Sequence, residues 1–127
     1  MTYFHARLIE GDFDAVVERT RAALQKHGFG VLTEIDVQAT LKAKIGEDFR
    51  PYRILGACNP VMAHEALLME PHVGVMLPCN VVVQQTERGV EVFAVDPASS
   101  MSAIENPALL GHARTVGKYL RSAVDEV

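Results

Sequence analysis

The chain has few of the features that announce a specialised protein class. Two cysteines in 127 residues are too few to staple a secreted scaffold, and a chain of this length buries roughly two-thirds of its unfolded surface without staples. Both thiols are expected to be reduced. Charge of one sign is also scarce: 12 Lys and Arg stand against 16 Asp and Glu, a formal net charge of -4, with no run long enough to form a charged tail. A basic face that tracks phosphates is therefore not expected, and no nucleic-acid partner is expected either. Long apolar runs are missing too. The longest, Val73 to Val83, is broken by Gly74, Pro78, Cys79 and Asn80, whereas a spanning helix needs about 20 mostly apolar residues, so no membrane partner is expected. The first residues, Met1-Thr2-Tyr3-Phe4-His5-Ala6-Arg7, lack the basic start and apolar core of a signal peptide, which points to the cytoplasm. Low-complexity tracts and 20–50-residue repeats are absent, which excludes a solenoid.

What is present is a series of short elements separated by turn signals, read as one domain over residues 1–127. Residues 3–9 read as an edge strand. Asp12 can cap a helix in which Phe13, Val16, Val17, Thr20, Ala23 and Leu24 recur at helical spacing, and Gly28 can end it in a left-handed cap. Val31 to Ile35 reads as a strand. Asp36 then caps a short helix with Val37, Leu41 and Ile45 on one stripe, stopped by Gly46. A strand over about 52–58 runs into Asn59-Pro60, a cap followed by the residue best suited to the first helical position. That helix carries Met62, Ala63, Ala66, Leu67 and Met69, and Pro71 closes it. Residues 77–85 and 90–95 form a hairpin around Thr86-Glu87-Arg88-Gly89. Asp96-Pro97 and Asn106-Pro107 repeat the cap device, the second opening a helix with Leu109, Leu110, Ala113, Val116, Leu120, Ala123 and Val124 on its apolar stripe. Irregular alternation with a hairpin indicates an α+β fold: a single, mainly antiparallel sheet with helices packed against it, rather than a doubly wound parallel sheet.

Four segments together carry a family resemblance: Gly28-Phe29-Gly30-Val31-Leu32-Thr33-Glu34-Ile35-Asp36-Val37, Asp48-Phe49-Arg50-Pro51-Tyr52, Leu55-Gly56-Ala57-Cys58-Asn59-Pro60 and Leu77-Pro78-Cys79-Asn80-Val81-Val82-Val83. The chain resembles the family catalogued as domain of unknown function 302, in the same order and over nearly its whole length. The resemblance implies a small α+β fold with a curved antiparallel sheet, somewhat like the TATA-binding-protein fold, and a homodimer. It implies no activity. One departure is Val61-Met62, where such proteins tend to continue after Pro60 with another proline and a leucine.

The residues that could carry chemistry centre on two Cys-Asn pairs, Cys58-Asn59 and Cys79-Asn80. Cys58 ends a strand just before a helix cap, where amides and helix dipole favour a thiolate; the alternative is a small buried hydrophobe. If the two strands are neighbours, both thiols and the amides of Asn59 and Asn80 converge; otherwise the repeated pair is coincidence. A zinc site is not expected, since the cysteines are 21 residues apart with no second pair. His64 and His72 could join Met62 in a soft set, but each reads more simply as a surface residue. Arg50 and Arg53 could together hold a carboxylate or phosphate, or each could form an ordinary ion pair. Glu34 and Asp36 share a strand face, but with Asp36 used as a cap, Glu34 is left without a partner. Gly28-Phe29-Gly30 follows a helix and precedes a strand, the wrong order for a phosphate loop, and no hydrolase or Walker segment occurs. Three readings follow. The first is a homodimeric module that binds a small molecule near the Cys58-Asn59-Pro60 turn. The second is a thiol enzyme or redox sensor in which Cys79 resolves Cys58, and the third is a purely structural subunit. No cofactor is specified by these residues.

Overall fold

The computed structural model describes residues 2–127. Five strands, β1 (Phe4–Ile9), β2 (Gly30–Asp36), β3 (Tyr52–Cys58), β4 (Cys79–Thr86) and β5 (Gly89–Val95), alternate with helices α1 (Phe13–Lys26), α2 (Val37–Ile45), α3 (Pro60–Met69), α4 (Pro97–Ser100) and α5 (Pro107–Asp125). The strands form one open sheet in the order β1-β5-β4-β3-β2. All four pairings are antiparallel, so the expected α+β architecture is what the chain adopts. Strand β1 lies at one edge, as its position in the sequence implied, and β4 is the centre.

Local chemistry sets the boundaries. Asp12 accepts the Ala15 amide at 3.1 Å and Asp36 the Ala39 amide at 2.9 Å. Asn59, Asp96 and Asn106 cap α3, α4 and α5, each followed by proline in the first helical turn, which leaves no amide to be orphaned there. Helix α1 ends in the double hydrogen bond of a Schellman turn, Phe29 N–H to Leu24 O at 2.8 Å and Gly28 N–H to Gln25 O at 3.1 Å. Gly28 takes φ +88° there, and Phe29, the residue after it, is buried.

Helices α1 and α5 lie against each other and against β4, β5 and the edge strands on one face of the sheet. Strand alternation sends Val81 and Val83 of β4, and Val90 and Val92 of β5, into this layer, where they meet Val16, Val17 and Leu24 of α1 and Leu120 and Val124 of α5. A smaller cluster of Ala66, Val73, Met101, Leu109 and Ala113 joins α3 and α5. Two features depart from the sequence reading. Pro71 does not simply close α3 but opens a 3₁₀ turn over Pro71–Met76, capped by Glu70. The stripe of α2 buries none of its residues, and Ile45 is 65% exposed, because α2 connects two strands at the β2 edge and packs chiefly on β3 and β2.

Candidate functional site

Strands β3 and β4 are neighbours, and their register sets Ala57 opposite Cys79. Cys58 is one position farther along, opposite Gly30 of β2. Alternation along β3 turns the Cys58 side chain away from the face that holds Cys79, yet the chain leaves the sheet at this point to enter α3. Both residues thus contribute to the wall of one small cavity of about 30 Å³, shared with Asn59, Met62, Met101 and His112. Such a volume admits a group about the size of a water molecule. The cavity sits where the main core and the α3–α5 cluster meet, so its wall is mostly apolar.

The two thiols are free and differently placed: Cys58 is half-buried and Cys79 is buried. Burial pushes the Cys79 thiol up from its ordinary value of 9.0 to about 11, and the nearby charge of Cys58 adds to the rise. A thiol held in this way stays protonated near neutrality and is a poor attacking group. With Cys79 buried and held protonated, the reading in which it resolves Cys58 finds no support.

Asn59 and Asn80 are not brought together. The Asn59 Oδ1 accepts the Met62 N–H at 3.1 Å, which fixes the first turn of α3 beside the cavity. Asn80 is exposed, on the sheet face opposite Cys79. The arginines are also separated. Arg50 donates from Nε to Gln84 Oε1 at 2.8 Å and lies over the rings of Phe49 and Tyr52. Arg53 is on the helical face, 2.7 Å from Glu34 Oε2 and 3.8 Å from Asp36, with its guanidinium over Phe13. Glu34 is engaged by cations rather than by a second carboxylate: Arg21 of α1 reaches its other oxygen. The residues of this cluster pin α1 to the β2–β3 edge and turn their charges on one another.

His112 is the cavity residue that the sequence reading did not single out. Its Nε2 is 2.7 Å from the Met62 carbonyl and its Nδ1 is 3.5 Å from Glu65. Because a carbonyl only accepts, Nε2 carries the proton and donates it, holding α5 to the first turn of α3. The signal was present: position 112 lies between Leu109, Ala113 and Val116, on the buried face of the same helix. His64 and His72 are exposed, and among the described residues no three His, Cys, Asp or Glu side chains are grouped so as to hold a metal ion.

An open five-stranded antiparallel sheet with helices α1 and α5 on one face, and a small apolar cavity where two strand ends meet two helices, define a mixed α+β protein with an internal recess. The chain belongs to the family described as domain of unknown function DUF302, whose model matches residues 5–127. It is similar to a solved structure, an uncharacterized conserved DUF302 protein from Bacillus stearothermophilus, with a TM-score of 0.94 and 28% identity over 99% of this chain and 98% of that one. No match is found among curated proteins. Among the described residues, no helix is long and apolar enough to cross a membrane.

Proposed function

We propose that this chain is a homodimeric module that binds a small molecule in the recess beside the Cys58-Asn59-Pro60 turn. The observation that carries the reading is the convergence of Cys58, Met62, Cys79, Met101 and His112 on one mostly apolar cavity, since binding sites are concave, chiefly apolar and furnished with a few polar groups. The narrow volume suits a methyl or thiol at the tip of a ligand whose polar end remains near the mouth. The homodimer is supported by apolar side chains left uncovered on the sheet in a single chain, such as Leu8 at 50% and Ile35 at 48% exposed.

The test is a thermal-shift screen of the purified protein with small metabolites and metal salts, run on wild type and on Cys58→Ala. The expected result is a ligand that raises the wild-type midpoint by several degrees and raises that of Cys58→Ala less, because binding to the native state alone stabilises it. No ligand-dependent shift in either protein would contradict the reading.

A further inference from the structure

Helices α1 and α5 cover one face of the sheet; on the other, among the described residues, Phe49 and Arg50 of the segment before β3 lie against Tyr52 and Gln84. Strand alternation and the registers place one row on that open face, across all five strands: Ile35 beside Ile54, Ile54 beside Val82, Val82 beside Phe93, and Phe93 beside Ala6. Every member is apolar. Burial falls outward from the centre, since Val82 is 8% exposed while Ile35 at the β2 edge is 48% exposed. Sheet faces of this composition are covered in stable proteins, by helices or by a second sheet.

We propose that this face is covered by the same face of a second copy, related by a two-fold axis that runs along β4. Such an axis keeps each residue at its level along the strands and exchanges the two sides of the sheet. It lays β3 over the partner's β5 and β2 over the partner's β1, because β4 is the central strand. Within the apolar row, Val82 then meets its own copy, Ile54 meets the partner's Phe93, and Ile35 meets the partner's Ala6, a larger side chain against a smaller one at the edge.

Charge decides for a second copy over an unrelated partner. Among the described strand residues, Glu91 is the one charged side chain on this face by register, and Arg50 approaches it from the β3 side. Gln84 of the central strand joins them: Arg50 Nε donates to Gln84 Oε1 at 2.8 Å, and Gln84 Nε2 donates to Glu91 Oε1 at 2.7 Å. The axis along β4 therefore carries Arg50 over the partner's Glu91, and Glu91 over the partner's Arg50. The face is self-complementary in shape and in sign, as an isologous contact requires. Its extent is sufficient, since five strands about 4.8 Å apart and about seven residues long cover roughly 500 Å² in plan. Two such faces exceed the total of about 1,000 Å² that marks a specific interface, once side-chain relief is included. The exposed side of α3 and the 3₁₀ turn, with Val61, Leu68 and Val75, is a narrower strip and the competing surface.

This inference rests on the homodimer reading, not on the ligand, and its test separates the two. Sedimentation of wild type, Arg50→Glu and Glu91→Arg at micromolar concentration, with circular dichroism to confirm folding, gives three expected results. Wild type is a dimer. Each variant alone dissociates at least tenfold more readily, since its copies now oppose like charges. An equimolar mixture of the two variants recovers the dimer, because the Arg50→Glu copy presents two carboxylates on this face and the Glu91→Arg copy presents two guanidinium groups at the matching positions. A monomeric wild type overturns both the interface and the homodimer. A dimer unmoved by either variant and by Ile35→Glu, or one that the mixture fails to restore, overturns this interface while leaving the homodimer standing on another surface.

Discussion

At the residue scale, the site turns on how a side chain's surroundings alter an ordinary chemical group. Cys79 and Cys58 have the same side chain and similar neighbours in sequence, yet Cys79 is pressed into the core and held protonated to about pH 11. The consequence for stability has a definite sign. Because the folded state keeps its proton above the ordinary value of 9.0, the contribution is intact below about pH 9 and is lost as pH rises toward 11. Cys79→Ala is expected to flatten that decline by about 2 kcal/mol relative to wild type, and urea titrations at pH 8 and pH 10.5 measure it. An equal decline in both proteins would show that the thiol is not responsible. Gly56 shows a different constraint. A Cβ there would lie 2.7 Å from Pro78 Cγ and closer still to the Thr33 hydroxyl. Gly56→Ala is expected to cost about 2 kcal/mol through overpacking, and Thr33→Ala in the same chain to recover part of it, a coupling that a double-mutant cycle reads directly.

Much at this scale was hidden from the sequence. The proximity of Cys58 and Cys79 depends on β3 and β4 being neighbours, a long-range pairing that local patterns do not encode. The partners of Glu34 come from α1 and β3, so capping arithmetic within one segment could not supply them. His112 was legible, since it shares a face with Leu109, Ala113 and Val116, but a histidine on an apolar stripe declares itself only when the helix's packing partner is known.

At the scale of elements, capping chemistry is local and was read correctly. Asp12, Asp36, Asn59, Asp96 and Asn106 all cap the helices that follow them, and the glycine after α1 takes the left-handed conformation its position called for. Asn59 also lines the cavity, so its loss has two effects. Asn59→Ala is expected to lower stability by about 1 kcal/mol through the lost cap, visible in thermal melts. It is also expected to speed amide exchange at Met62 and Ala63 without affecting α5 beyond the His112 turn. Unchanged exchange in the first turn of α3 would contradict the capping role. Helix α2 marks the limit of periodicity. Val37, Leu41 and Ile45 do share a stripe, but a stripe becomes a buried face only if another element packs on it. The 3₁₀ turn after Pro71 was missed for a related reason: proline forbids continuation of α3 but does not say what the chain does next.

At the scale of the whole molecule, the class of fold was legible because a hairpin and irregular alternation of strands and helices favour an antiparallel sheet. The strand order was not, because it is decided by which apolar faces meet after the elements form. That order produces the two features on which the proposed function depends. It places the ends of β3 and β4 side by side beneath the first turn of α3, and it leaves one apolar row of the sheet without helices. The ligand reading depends on the first of these alone. The direct measurement is a methyl NMR titration of the intact protein with small thiols, alcohols and short carboxylic acids. Met62 and Met101 line the cavity, whereas Met69 is partly exposed outside it. The expected result is a compound that shifts the Met62 and Met101 methyl signals together in a saturable way and leaves Met69 in place. Titrations that leave both cavity methyls fixed, or that move Met69 equally, would contradict a binding role for this recess.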